Sequence, residues 1–442
     1  MKRFWLILLS LGLVMAFSAS AFAVDVKFSG SFYAAGMYQD RTTFRKDSAS
    51  DGPSTAFYYQ RLRVRTDFVV SPGLTLTTRF DALERTWGVA RSTSMTTLAK
   101  DSYGTDAENE NIAFDWAYIT YASPIGTFDV GIMEDGPTGT IFGNNLTSAG
   151  RIKWNNTFGP FTIKADITKV KEQSYTAKNN TVTYTDGDND KYGIEGVFNW
   201  TGGLAGMKVI YYNYDEKSPG TSPLGNYKKN YFLFTPYAIA KIGPVDLQAE
   251  LNYATGDVKK YGDGIGDISM QNITGWIDAT VTFNPVYFGG TLAYVSGDDP
   301  TTAKEEGGTL DGGRDWNPCL ILFNYYDRGY WVGAINGWDN TAMNGPMTNA
   351  LFFQGRVGVR PIAPLDIMAS VSWATVDKKP NLVLNANYGT EVDITATYKI
   401  TNNLSYMLGV GYLFVGDYFK GFSNDNVIKD NYLVINKLTL TF

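Results

Sequence analysis

Three guanidinium groups, Arg61, Arg63 and Arg65, stand at alternate positions in the segment Phe57 to Val70, whose other phase is apolar: Leu62, Val64, Phe68 and Val70. In the next segment Leu74, Leu76 and Phe80 take the apolar phase and leave Arg79, Asp81 and Arg85 on the other. Side chains two apart on a strand share a face, so the spacing predicts a basic ladder of Arg61, Arg63, Arg65, Arg79 and Arg85 on two neighbouring strands. Arginine stays charged at any relevant pH, and only Asp67 and Asp81 accompany the five in that phase. The chemistry expected is electrostatic: a permanent positive wall beside a water path. The alternative is that the arginines merely cross-link strands through the two acids. Arg151 and Lys153, opposite in phase to Ile152 and Trp154, extend the wall.

Other chemistry is excluded by composition. The 442 residues include no histidine and one cysteine, Cys319. Without imidazole no Ser-His or Cys-His nucleophile pair and no His-ligated metal or haem can be built. A lone thiol makes no intrachain disulfide, zinc knuckle or iron-sulfur site. No enzyme, cofactor or metal is expected. The net charge of −6 argues against nucleic-acid binding, and loss of Lys2 and Arg3 would make the chain more acidic still.

The elements that must hold the ladder are strands. Aromatic residues make up 15% of the chain, with 29 Tyr, 26 Phe and 46 Gly, yet the mean hydropathy is only −0.18. That combination suits a membrane β-barrel, where each strand alternates a lipid face with a wet face. Residues 1–23 read as a signal peptide: basic Lys2 and Arg3, an apolar run from Phe4 to Phe17, and the small-x-small pattern Ala21-Phe22-Ala23. Residues 24–442 read as the barrel. Short turns are expected at Ser71-Pro72-Gly73, Pro124-Ile125-Gly126, Gly159-Pro160, Thr201 to Gly206, Gly243-Pro244, Asn284-Pro285, Pro361 to Pro364 and Thr401 to Asn403. They alternate with longer polar connections, of which 298–349 is the longest, and within it Cys319 to Asp327 and Gly329 to Asn336 read alternatively as one more hairpin. The count gives an all-β, transmembrane antiparallel barrel of about 18 strands, with 16 to 20 allowed, short periplasmic turns and long extracellular loops. Tyr58, Trp87, Trp116, Tyr118, Trp154 and Tyr406 are candidates for the interfacial aromatic girdles.

A signal peptide, the mature start Val24-Asp25-Val26-Lys27-Phe28-Ser29-Gly30, hairpins to the last residue and a terminal Phe442 together resemble the Gram-negative outer-membrane porins. The opening Val24 to Arg41 is also similar to porins of metal-reducing bacteria. The resemblance implies a homotrimer in the cell outer membrane, in contact with lipids and lipopolysaccharide. It implies that Phe442 is read by the outer-membrane assembly machinery. It also implies that the loop after the fifth strand, 136–149, folds inward as a constriction carrying acids opposite a basic ladder. Here Pro137, Phe142 and Gly143 echo that loop, but the acids Glu134 and Asp135 precede the proline.

Weaker signals are read as surface. Asp186 to Asp190 opens like a calcium loop, but Lys191 stands where glycine is needed and Val197 where glutamate is needed. The acids Asp298, Asp299, Glu305, Glu306, Asp311 and Asp315 read as solvated loop. Gly262 to Gly266 lacks the context of a phosphate loop. Two functions follow. The first is a passive channel for ions and small hydrophilic solutes. The second is a barrel scaffold that docks a partner, such as a multihaem cytochrome, or acts in adhesion.

Overall fold

The computed structural model describes residues 24–46, 52–88, 112–136, 139–145, 147–173, 187–216, 227–261, 266–308, 313–343 and 345–442. The expected signal peptide, Pro137, Asp186 and Asp311 lie outside these residues. Alternating side chains build one closed sheet from β1 (Asp25–Gln39), β2 (Thr55–Ser71), β3 (Leu74–Thr86), β4 (Ile112–Ser123), β5 (Gly126–Glu134), β6 (Ser148–Phe158), β7 (Phe161–Lys171), β8 (Asn189–Trp200) and β9 (Gly203–Glu216). It continues through β10 (Tyr227–Ile242), β11 (Val245–Lys260), β12 (Ile268–Phe283), β13 (Val286–Val295), β16 (Ala350–Ile362), β17 (Leu365–Val376), β18 (Asn387–Lys399), β19 (Leu404–Val415) and β20 (Asn431–Thr441). The remaining two, β14 (Ile335–Asn336) and β15 (Ala342–Met343), are a two-residue hairpin outside that sheet.

Each barrel strand pairs antiparallel with its neighbour, and β20 pairs with β1 to close an 18-stranded sheet. Closure extends to the last residue, where Gly30 and Phe442 exchange backbone hydrogen bonds of 2.8 and 3.1 Å. Over Gly30 to Gln39 the seam pairs β1 with β20 backbone to backbone, which is the condition for crossing hydrocarbon as strands. The eight short turns and the long connections alternate where the composition places them. The described residues of the connection from β13 to β16 add no strand to the wall.

The register follows polarity. In β7, Phe161, Ile163 and Ile167 are exposed on the outer face, while Thr162, Lys164, Asp166 and Thr168 point inward. In β18, Glu391 and Asp393 are buried inside the barrel and Ile394 is exposed outside. Tyr58, Trp87, Trp154 and Tyr406 occupy the outer phase; Tyr58 and Trp87 stack at 5.2 Å. Trp116 and Tyr118 do not. The β3/β4 register shifts between Arg79 and Phe80, which moves Trp116 and Tyr118 to the inner wall beside Arg65 and Arg151.

The packed core lies inside the barrel. Residues 313–343 of the β13–β16 connection enter the bore and bury Trp316, Ile321, Leu322 and Phe323 against Phe352, Leu413, Leu433 and Ile435 of the wall. Each such side chain contributes about 1.5–3 kcal/mol through burial. One side of the bore is therefore filled with apolar packing.

Candidate functional site

The unfilled side of the bore is lined by ionised side chains in pairs. Arg61 reaches Glu84 at 3.4 Å, and Arg63 holds Asp81 with two bonds of 2.7 Å. The Arg65 Nε donates to both Asp67 oxygens at 3.1 Å. The Arg79 guanidinium donates to Asp115 at 3.0 and 3.1 Å and lies 3.4 Å over the Trp116 ring. The four ladder arginines that face the bore thus each meet a carboxylate. Glu84 and Asp115 are the partners that alternation alone did not supply. Both sit where the backbone breaks phase: Leu83 takes a left-handed φ of 53°, and β3 and β4 slip in register beside Asp115. The same break corrects the assignment of Arg85. It registers opposite Gln60 on the outer face, and Glu84 takes the inward place.

A second cluster spans β5 to β9. Asp166 receives Arg151 at 3.1 Å and Lys208 at 3.4 Å; Asp135 pairs with Lys191 and with Arg151 at 3.7 Å. Lys153 meets Asp129 at 3.2 Å and Lys164 meets Glu195 at 3.1 Å. Small residues make room for these groups. A Cβ on Gly193 would stand 2.6 Å from an Asp166 oxygen, and one on Gly206 would stand 2.5 Å from the Tyr237 ring.

The loop after β5 folds into the bore. Thr140 donates to Glu250 through its amide at 2.6 Å and its hydroxyl at 2.7 Å, and the Gly143 amide donates to the other oxygen at 3.2 Å. The Trp276 indole donates to the Thr140 hydroxyl at 2.8 Å, and Phe142 stacks on that indole at 5.5 Å with 12° between the planes. Phe142 and Gly143 therefore anchor the loop to β11 and β12. Asp135 joins the ion pairs, and Glu134 lines the cavity beside them.

A second loop enters beside it. The carboxylate of Glu391 accepts the amides of Ile321 and Leu322, both at 2.6 Å. The guanidinium of Arg328, fully buried, donates to the carbonyls of Ile321 at 3.0 Å and Gly333 at 2.9 Å, and burial pulls it down to about 10. Asp327 ties the loop to the wall through Lys437 at 2.8 Å and the Tyr59 hydroxyl at 3.2 Å. The Asp315 amide donates to the Asn144 carbonyl at 3.1 Å, joining the two loops. The sequence offered one signal for this plug, the apolar run from Cys319 to Phe323 inside a polar connection.

Cys319, Glu391 and Asp393 are the described group whose ligand-type atoms come within 4.8 Å of one another. Both Glu391 oxygens are already taken by backbone amides, so the trio fits a loop clasp better than a cation. At the acidic motifs, Asp188 and Asp190 hold Lys169 at 2.8 and 2.9 Å. Asp299 accepts from Thr301, and Asp315 accepts from the Tyr326 hydroxyl at 2.7 Å.

Among the described residues, four cavities follow one another along the inner wall. The first, about 520 Å³, is lined by Arg61, Arg63, Glu84, Asp115, Tyr325 and Lys437. Across the Arg79–Asp115 pair lies the second, about 450 Å³, lined by Arg65, Glu134, Arg151, Lys153, Lys164 and Lys208. Lys164 and Glu195 also line the third, about 480 Å³, beneath Thr140 and Ile141. Leu204, Ile239 and Gln248 continue into the fourth, about 410 Å³, at the short turn with Gly202. The succession runs from the plug towards the short-turn rim. Its charged and hydrogen-bonding groups can hold water and polar solutes against the wall.

No family model matches the chain, and no curated protein matches it in sequence. Solved structures are similar in shape. OpdQ of Pseudomonas aeruginosa is 12% identical, with 96% of this chain and 100% of that one covered at a TM-score of 0.52. OccK11 (OpdR) of the same organism is 12% identical over 95% and 96% of the two chains, with a TM-score of 0.52. The P. aeruginosa protein OpdK, solved with vanillate, is 11% identical over 94% and 99%, with a TM-score of 0.51. OpdK is described as an outer membrane protein. The chain thus has the closed 18-strand antiparallel fold of Gram-negative outer-membrane porins.

Proposed function

We propose that the protein is an outer-membrane porin that lets ions and small hydrophilic solutes diffuse passively along the charged side of its bore. The observation that carries this reading is the succession of four cavities from plug to rim, walled by paired ions. A barrel that only needed to be stable would gain by filling that side with apolar side chains as it fills the other, because buried ion pairs return little net stability. OpdK, a neighbour in shape, was solved with vanillate, a small polar solute, which supports a bore that admits such molecules. The transverse field of Arg61, Arg63, Arg65 and Arg79 against Glu134 and their partner acids would then sort solutes by charge. Phe442 as an assembly signal, the homotrimer and the contact with lipopolysaccharide belong to the same proposal. No catalytic step is part of it.

The test is swelling of proteoliposomes that hold the folded full-length chain, in a graded series of neutral sugars. Uptake of the smallest sugars with a size cutoff supports the reading. The competing reading, a scaffold that docks a partner, draws on the filled half of the bore. A correctly folded barrel that admits no solute would favour it.

A further inference from the structure

Three ion pairs of the second cavity share an arrangement that formal charge counting hides. In each the cation faces water and the acid sits behind it: Arg65 is 41% exposed against 23% for Asp67, Lys153 35% against 12% for Asp129, and Lys164 36% against 5% for Glu195. Each acid is also held from the wall by a neutral donor. The Thr77 hydroxyl donates to Asp67 at 2.6 Å, the Thr120 hydroxyl to Asp129 at 2.6 Å, and the Tyr237 hydroxyl to Glu195 at 2.5 Å. The acids thus spend part of their charge on the wall, while the cations keep theirs at the water surface. Behind the three, Asp166 faces both Arg151 and Lys208, Arg151 also reaches Asp135 at 3.7 Å, and Glu134 adds one acid to the cavity lining. The order reverses one level up, where Arg79 is buried and its partner Asp115 is the more exposed.

We infer that Arg65, Lys153 and Lys164 form an anion-selecting tier, so that a chain of net charge −6 conducts small anions in preference to cations. The inference rests on the channel reading and deepens it. Interaction energy falls with distance, so an ion in the cavity meets the nearer cation more strongly than the acid behind it, and a low-dielectric wall sharpens the difference. The tier differs from the Arg61 and Arg63 pairs, where cation and acid are about equally exposed and their fields largely cancel.

The experiment is the reversal potential of the folded full-length protein in planar bilayers under a KCl gradient. Chloride should be preferred severalfold. The triple variant Arg65→Gln, Lys153→Gln, Lys164→Gln should bring the ratio to one or below. Lys153→Gln and Lys164→Gln singly should each move it part of the way, which keeps the test open if the triple variant does not fold. Arg61→Gln with Arg63→Gln should move it less than the triple. A channel that conducts but prefers potassium, or whose preference ignores the tier, overturns the inference while the channel stands. A folded barrel that passes no current overturns the channel reading itself.

Discussion

Removing the Glu391 carboxylate should loosen the plug while leaving the wall intact. The side chain comes from β18, and its two oxygens accept the Ile321 and Leu322 amides at 2.6 Å each. A buried amide left without its acceptor costs roughly 1–3 kcal/mol, so Glu391→Ala, which orphans two of them, should cost the loop about 2–6 kcal/mol of anchoring. At about 1.4 kcal/mol per tenfold, the equilibrium for lifting residues 313–343 off the wall should shift by roughly one to four orders of magnitude. The barrel sheet, held by its own ladders, should keep its heat-resistant migration in detergent. Two readouts test the idea together: single-channel records, which should show frequent excursions to a larger conductance, and limited proteolysis, which should cut within 313–343. A folded variant with wild-type current noise and an uncut loop would refute the claim that Glu391 clasps the plug.

The loop after β5 offers a parallel case: Phe142→Ala removes the stack on Trp276 and should lose about 3–5 kcal/mol of packing there. Larger neutral sugars should then enter proteoliposomes, and an unchanged size cutoff would count against this anchor. The register can be tested by lysine on the two faces of β18. Ile394→Lys should cost roughly 2–4 kcal/mol in a bilayer refolding titration, whereas Thr395→Lys, facing the bore, should cost far less; equal costs would mean the phase is wrong. A pH dependence follows for Asp315, whose carboxyl burial lifts above the usual range despite the Tyr326 hydroxyl bonded to it. Its contribution is then present below the unfolded value and lost as pH rises through the folded one. Asp315→Asn should therefore raise the thermal stability at pH 7.5 relative to the parent and lose that advantage near pH 4, and a pH-independent difference would contradict the assignment.

Much of this was legible in the chain because a barrel writes its fold locally. Gly159 and Gly73 turn the chain with φ of 58° and 79°, and the alternation in β17, β18 and β20 fixes which side chains meet lipid. What could not be read were the breaks in that alternation. The left-handed Leu83 and the slip beside Asp115 move Glu84, Trp116 and Tyr118 inward and Arg85 outward, and no proline or glycine at the break announces either. The plug was illegible for a different reason. Glu391 meets residues 70 positions away, and Phe142 meets Trp276 from the far side of the chain, so no periodicity within either segment encodes the contact. The Arg61 to Arg79 ladder was found by spacing. Its compensation by Glu84 and Asp115 depended on the same two breaks.

The most direct test of the central claim is the current through single molecules of the refolded full-length chain in a planar bilayer. The account expects discrete, stable steps of small size, because the plug leaves only one side of the bore open. Verified barrels that insert yet carry no current would contradict it.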